Sequence, residues 1–112
     1  MNFKIILIAS FQKELKRLAK KYPSIKSDFT ALIDIVEINP QYGTSLGKNC
    51  FKIRLSIASK GKGKSGGARV ITHLVATLQD ETLYFLTIYD KSEEESISDS
   101  RLNLLIKSIE NI

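Results

Sequence analysis

Residues 50–91 decide the fold of this 112-residue chain, and they read CFKIRLSIASKGKGKSGGARVITHLVATLQDETLYFLTIYDK. Apolar and polar side chains alternate over residues 51–57, which is the two-residue period of a half-buried β-strand. Residues 69–78, which are rich in β-branched side chains, and residues 83–91 predict two more strands joined by a short turn. The glycine-rich segment 58–68 predicts a loop. These residues therefore indicate neighbouring strands built around a loop of glycine and lysine.

Positive charge is concentrated in the same region. Between Ile38 and Gln79 there is no Asp or Glu, although the whole chain has 12 acidic residues. The basic residues of this window are Lys48, Lys52, Arg54, Lys60, Lys62, Lys64 and Arg69. A basic surface without acidic neighbours is typical of a site for a polyanion. The alternative is an ordinary solvated basic loop.

The N-terminal residues predict a strand followed by two helices. Phe3–Ala9 is short and apolar and predicts a strand, after which Ser10 is expected to be the N-cap of a helix. Apolar residues recur at helical spacing over residues 11–22. Pro23 begins a second helix, which Asn39-Pro40 ends. The short connection predicts a helical hairpin.

The remaining segments complete a single α+β domain over residues 1–112. Residues 41–49 predict a loop, and Ser98 or Asp99 is expected to cap a last helix with an apolar face. The predicted order is β-α-α-β-β-β-α. The chain is therefore expected to form a mainly antiparallel four-stranded sheet with an N-terminal helical hairpin and a C-terminal helix.

Composition excludes several classes of protein. The single cysteine, Cys50, cannot form an internal disulfide and is consistent with a reducing cytoplasm, so a cytoplasmic location is expected. No stretch approaches the roughly 20 apolar residues of a membrane-spanning helix. The pI of about 9.4 is consistent with a nucleic-acid partner.

The sequence meets the requirements of neither a P-loop nor a metal site. Gly63-Lys64-Ser65 resembles the end of a P-loop, but that motif needs a second glycine where this chain has Ala58. No spacing of His, Cys, Asp and Glu predicts a metal site. His73 is the one histidine, and a histidine within a strand is more often packed than catalytic.

A group of cations beside a phenol remains as the candidate site. Lys52 and Arg54 project from one strand, Arg69 begins the next, and Tyr89 and Lys91 end the last. Guanidinium and ammonium groups suit the extra negative charge of a pentacoordinate phosphate. A tyrosine or lysine moves a proton if neighbouring cations lower its pKa. The alternative is that Tyr89 packs in the core and Lys91 is a solvated strand end.

The chain resembles the RelE/ParE toxin superfamily. The resemblance lies in FQKELKRLAKKYPS at residues 11–24, CFKIRL at 50–55, KGKGKSGGARVI at 60–71 and IYDKSE at 88–93. The GKSGGAR form is similar to the HigB-like branch. The resemblance implies the toxin of a bacterial type II toxin–antitoxin pair, with a cognate antitoxin protein as partner.

RelE-like and HigB-like toxins cut mRNA in the ribosomal A site without a cofactor or metal, so mRNA and the ribosome are further implied partners. The ribose 2′-hydroxyl attacks its own phosphodiester and leaves a cyclic phosphate. The resemblance implies catalytic roles for Lys52, Arg54, Arg69, Tyr89 and Lys91. RNA or ribosome binding is assigned to Lys48, Lys60, Lys62, Lys64 and His73.

This chain departs from the RelE pattern at one point. Ser92 stands where RelE-type members carry an arginine, and no tyrosine follows Tyr89. The candidates for the acid or base are therefore Tyr89, Lys91 and His73, in that order. Two other functions stay open: a ParE-like DNA gyrase inhibitor that cuts no RNA, and an RNA-binding module without activity.

Overall fold

The computed structural model describes residues 2–61, 63 and 66–110. It contains a five-stranded sheet with helices on both faces. The elements are β1 (Asn2–Leu7), α1 (Ala9–Lys21), α2 (Ile25–Ile38), β2 (Thr44–Gly47), β3 (Cys50–Leu55), a 3₁₀ turn (Ala58–Lys60), β4 (Ala68–Ala76), β5 (Asp80–Asp90) and α3 (Asp99–Glu110). The strands lie in the order β1-β5-β4-β3-β2, and only the β1–β5 pair among them is parallel.

The predicted α+β class is confirmed, and so are the helical hairpin and the C-terminal helix. The sheet has five strands because β2, expected to be part of a loop, pairs with β3. Gly47 lies opposite Cys50, and the two residues between them, Lys48 and Asn49, have φ angles of 55° and 57°. Positive φ at both central residues is the geometry of a type I′ hairpin turn. A four-residue edge strand that is mostly exposed has too little apolar pattern to predict.

The hairpin of α1 and α2 covers one face of the sheet. Its contact with the sheet includes the aromatic side chains of Phe11, Phe29 and Phe85, whose ring centroids lie 5.2–5.3 Å apart in tilted and edge-on arrangements. Phe11 and Phe85 are fully buried. Such pairs contribute about 0.5–1.5 kcal/mol beyond the area that they bury.

Ser10 does not cap α1, so that prediction is wrong. The helix begins at Ala9, with Ile8 in the N-cap position. The Ser10 hydroxyl instead donates a hydrogen bond of 2.9 Å to the carbonyl of Leu86. Leu86 lies just beyond the last pair of the β1–β5 ladder, Leu7 with Phe85. The serine therefore links the first turn of α1 to β5 where the ladder has ended.

A β-bulge at Leu86 changes which residues of β5 face the hairpin. Ile71 pairs with Thr87, but the next residue of β4 pairs with Phe85, so Leu86 is the extra residue. Phe85 packs among the aromatic side chains of the hairpin, whereas the Thr87 hydroxyl accepts a hydrogen bond from Arg101 of α3 on the opposite face. Residues beyond the bulge keep this new alternation.

The helix α3 lies against the second face of the sheet. Ser98 caps it, because its side-chain oxygen accepts a hydrogen bond from the Arg101 amide at 3.1 Å and its carbonyl accepts one from the Leu102 amide at 3.0 Å. Leu102 is buried at 3% exposure. No helix in the described part of the chain is long and apolar enough to cross a bilayer.

Gly67 is predicted to tolerate no side chain. A Cβ atom at this position would lie 2.1 Å from the Leu55 carbonyl oxygen. We expect Gly67→Ala to lower the free energy of unfolding by about 2 kcal/mol or more. The control is Gly47→Ala, where φ is 80° but no atom lies within 4 Å of the new Cβ. It should cost about 1 kcal/mol through backbone strain alone. Urea unfolding measures both, and an equal or smaller loss for Gly67→Ala would contradict the prediction.

Candidate functional site

Strand register places two arginines and a tyrosine in one row. Arg54 of β3 lies directly opposite Arg69 of β4, and Arg69 lies directly opposite Tyr89 of β5. Residues directly opposite in a sheet share a face, with Cβ atoms about 4.5–5.5 Å apart. Lys52 lies opposite Ile71 in the row paired with Thr87. The structure therefore brings Arg54, Arg69 and Tyr89 together, with Lys52 one row away on the same face as α3.

The row differs in exposure from end to end. Arg54 is exposed and Lys52 is half-buried, whereas Arg69 and Tyr89 are 5% and 4% exposed. One guanidinium nitrogen of Arg69 donates a hydrogen bond of 3.1 Å to the carbonyl of Ala68. Arg69 is buried because β4 is a central strand with helices on both faces of the sheet. Arg54 is exposed because β3 lies nearer the edge of the sheet. The sequence showed the charges but not this gradient in burial.

Tyr89 lies in a different electrostatic environment from the expected one. Burial, together with Glu94, raises the pKa of Tyr89, while Arg69, Arg101 and the Ile97 backbone oppose the rise. A pKa lowered by neighbouring cations, the condition stated above for proton transfer, is therefore not met at Tyr89. Tyr89 remains a neutral phenol at physiological pH and suits the donation of a proton rather than its removal.

The Tyr89 hydroxyl is buried without a well-formed hydrogen bond to any described residue. The Tyr89 side chain borders a cleft of about 250 Å³ beside the end of β5. Charged side chains form the rest of its wall: Glu14, Arg17, Glu93, Glu94 and Arg101. A buried polar atom left unpaired costs about 1–3 kcal/mol, which makes this hydroxyl a candidate for function.

Lys91 follows the end of β5 and is held there by two contacts. Its amide donates a hydrogen bond of 3.0 Å to the Gly67 carbonyl, and its ammonium group donates one of 2.8 Å to the Glu95 carbonyl. Gly67 lies two residues before Arg69, and Lys91 lies two residues after Tyr89. This backbone hydrogen bond therefore holds Lys91 near the row of Arg54, Arg69 and Tyr89. Its ammonium group is engaged by the loop that follows the strand.

His73 lies apart from the row. It is four residues beyond Arg69 on β4, a distance of about 13 Å at the rise of a strand. It lies opposite Cys50, with 3.3 Å between His73 Nδ1 and Cys50 Sγ. Burial raises the pKa of Cys50 to about 11, against a weak opposing effect of Lys48. Cys50 is thus a neutral structural thiol, and His73 is too far from Arg69 to share one phosphate with it.

Comparisons with known proteins identify the family of this chain. The family described as RelE toxin of RelE / RelB toxin-antitoxin system matches residues 9–110. This chain belongs to the RelE toxin family. It also resembles the structure of a double arginine-to-alanine mutant of the E. coli toxin RelE in the free state, with a TM-score of 0.56. The identity is 15%, over 85% of this chain and 90% of that one, so this likeness concerns the fold.

The glycine-rich loop of this RelE-family toxin begins with a buried ion pair. Lys60 was assigned to RNA or ribosome binding, and its side chain is 9% exposed with its ammonium group 2.6 Å from Asp90 Oδ1. Burial opposes the charge, yet the bond to Asp90 outweighs it and raises the pKa of Lys60. The Lys60 side chain is therefore held in place by Asp90. Lys62 and Lys64, which were given the same role, lie outside the described residues.

Asp90 is a central polar residue that the sequence analysis missed. It is fully buried, and its carboxylate accepts hydrogen bonds from Lys60, from the Tyr22 hydroxyl at 2.5 Å, and from the amide and hydroxyl of Ser92. Burial alone would raise its pKa, but these bonds hold the pKa of Asp90 well below its usual range. A single carboxylate at the end of an apolar strand was the available signal. Within the described residues there is no group of three potential metal ligands.

Asp90 is predicted to make stability depend on acid. Its pKa is lower in the folded state than in the unfolded chain, where it is about 3.9, so its contribution is present at neutral pH and falls as the pH drops below about 4. Asp90→Asn leaves Lys60 buried without its partner and should cost about 3–5 kcal/mol at pH 7. Urea unfolding at neutral and acid pH measures the effect.

Glu93→Gln is the matched control for Asp90→Asn. It removes an ion pair with Arg17 whose side chains are 39% and 47% exposed, and should cost less than about 1 kcal/mol. The smaller loss should also be sensitive to salt. A similar loss of unfolding free energy in the two variants would show that the buried ion pair of Asp90 stabilises the fold no more than the exposed pair of Glu93.

Proposed function

We propose that this toxin is a metal-independent, ribosome-dependent mRNA endoribonuclease that inhibits translation. Membership of the RelE family makes it the toxin of a toxin–antitoxin system. The observation that supports the finer proposal is the row formed by Arg54, Arg69 and Tyr89. It combines two groups that bind phosphate with one that donates a proton.

The arginines are assigned to the phosphate. In the proposed reaction the ribose 2′-hydroxyl releases its proton to solvent water, and the 2′-oxygen forms a bond to the adjacent phosphorus. The bond from phosphorus to the 5′-oxygen breaks, the 5′-oxygen takes up a proton, and a 2′,3′-cyclic phosphate remains. Negative charge on the phosphate oxygens increases in the transition state. Planar guanidinium groups bind two such oxygens at once, and they are most effective where water is excluded. Arg54 is exposed and meets the incoming backbone, while Arg69 provides the buried charge.

Tyr89 is assigned to the leaving oxygen. The departing 5′-oxygen needs a proton, and a phenol whose pKa burial has raised holds one at neutral pH. Its hydroxyl is buried without a well-formed hydrogen bond to the described residues, so a bound substrate would provide a partner. Of the two roles that the sequence left open for Tyr89, acid and base, this is the acid.

The antitoxin is the partner that family membership implies. A segment of negative charge is the expected complement to the acid-free region between residues 38 and 79. Messenger RNA and the ribosome are proposed partners because a polyanion satisfies the same charges.

Arg69→Ala should slow cleavage by about a hundredfold or more, because it removes one preorganised donor to the phosphate. Arg69→Lys should restore part of the rate, since an ammonium group keeps the charge but loses the planar fork. Single-turnover cleavage of mRNA on programmed ribosomes measures the rate, with ribosome binding and urea unfolding measured separately. The control is Lys26→Ala, an exposed cation on α2. A normal cleavage rate in folded Arg69→Ala would remove Arg69 from the site.

Tyr89→Phe should separate activity from stability. The change removes a buried hydroxyl that makes no well-formed hydrogen bond to the described residues, so the free energy of unfolding should stay the same or rise slightly. Cleavage on the ribosome should fall by about a hundredfold or more if the phenol donates the proton. A parallel loss of stability and activity would indicate a packing role for Tyr89.

The wild-type toxin tests the gyrase-inhibitor alternative. If it arrests DNA replication before protein synthesis and cuts no mRNA, that alternative replaces the proposal.

A further inference from the structure

A second cationic cleft lies where the β2–β3 hairpin meets α3. It has a volume of about 340 Å³ and is lined by Lys48, His73, Asn103, Ile106 and Lys107. We propose that this cleft, the hairpin cleft, binds a backbone phosphate of the RNA at a distance from the phosphate that is cut. This inference rests on the proposed function and extends it from one phosphate to a path for the RNA strand.

The chemistry of the hairpin cleft suits an anion. Two lysines and a histidine contribute to its wall, and none of its described lining residues is acidic. The Lys48 ammonium group donates one hydrogen bond to the side-chain oxygen of Asn103. Because an ammonium group has three donors, two stay available to a phosphate, and the Asn103 amide adds another. Lys48 and Lys107 are exposed, so a ligand reaches them from solvent.

The backbone of Lys48 is in a conformation that lysine rarely adopts. Its φ is 55°, in the first central position of a turn that favours Asn, Asp or Gly. A left-handed conformation costs a residue with a Cβ atom about 1–2 kcal/mol. Strained residues of this kind concentrate at functional sites. The turn holds the Lys48 side chain beside α3, where it reaches Asn103.

A path connects the hairpin cleft to the row of arginines. Lys52 and Arg54 line a neighbouring cleft of about 450 Å³ at the uncovered edge of the sheet, and polar residues of the segment before β2 line its other side. Lys52 and Arg54 belong to β3, and the first residue of that strand, Cys50, pairs with His73 of the hairpin cleft. The span from Cys50 to Arg54 is four residues, or about 13 Å. Cations at both ends of this strand, and Lys52 between them, favour an extended RNA backbone over a compact anion.

The test compares two RNAs with wild-type protein and a double variant. Lys48→Asn with Lys107→Gln removes both charges, and asparagine suits the positive φ of residue 48. The probes are single-stranded RNAs with a 2′-deoxy sugar at the cleavage position, one of about three nucleotides and one of about ten, within the usual range of single-strand sites. For the longer RNA, the slope of log affinity against log salt should fall by about 0.7 for each lost phosphate contact. The shorter RNA should bind as it does to wild type.

The matched control is Lys13→Gln with Lys16→Gln, which removes two exposed charges from α1. An equal change of slope in this control, an unchanged slope in the hairpin variant, or no binding of the longer RNA to wild type would each overturn the proposal. Weaker binding of the antitoxin with an unchanged RNA slope would assign the cleft to an acidic protein and would also overturn it.

Failure of the cleft and failure of the nuclease are distinguishable. If Arg69→Ala slows cleavage while the hairpin variant keeps its salt slope, the hairpin cleft alone is wrong. If the hairpin variant loses slope while Arg69→Ala cuts at the normal rate, the phosphate cleft stands and the catalytic assignment fails. One variant alters β4, and the other alters the turn between β2 and β3 together with α3, so their effects should be separable.

Discussion

The buried carboxylate of Asp90 is the interaction on which the arrangement around the site depends. It joins the end of α1 through Tyr22, the 3₁₀ turn through Lys60 and the loop after β5 through Ser92. All three residues donate hydrogen bonds to the same buried carboxylate. Burying a charged carboxylate lowers the stability of a protein unless hydrogen bonds and an opposite charge compensate for the lost water. Tyr89 is the preceding residue of the same strand and faces the other side of the sheet. The polar cluster on one face therefore fixes the backbone that positions the phenol on the other.

Most of the fold followed from patterns in the sequence. The period of two in β3 and the helical spacing in α1 and α2 arise because one face of each element is buried, and the sequence records that burial directly. The predictions that failed concern features that leave no pattern of burial in the local sequence. Strand β2 is an exposed edge with little apolar pattern, and Ser10 finds an acceptor in Leu86, which is 76 residues away. A local motif cannot show a partner that only the tertiary fold provides.

The sequence predicted which residues belong to the candidate site better than it predicted their burial and their pKa values. A run of cations free of acidic residues identified Arg54 and Arg69, and register brings them opposite each other. Burial depends on which strands become central and on where α3 lies, and neither is encoded near these residues. For that reason the pKa of Tyr89 is raised by burial although two arginines lie near it. Lys60 differs from its expected role because its partner, Asp90, lies 30 residues further along the chain.

The bulge at Leu86 also bears on how related chains can differ in length. Because side chains alternate along a strand, one extra residue reverses the facing of every position that follows it. With Leu86 as the extra residue, Tyr89 lies opposite Arg69 and Asp90 faces the helical hairpin. One further residue inserted there would turn Tyr89 towards the hairpin and Asp90 away from it, unless a second bulge formed. Loops elsewhere in the chain can absorb an insertion at little energetic cost. The tip of β5 cannot, so we expect insertions between Phe85 and Asp90 to be tolerated less than changes in the identity of Leu86 itself.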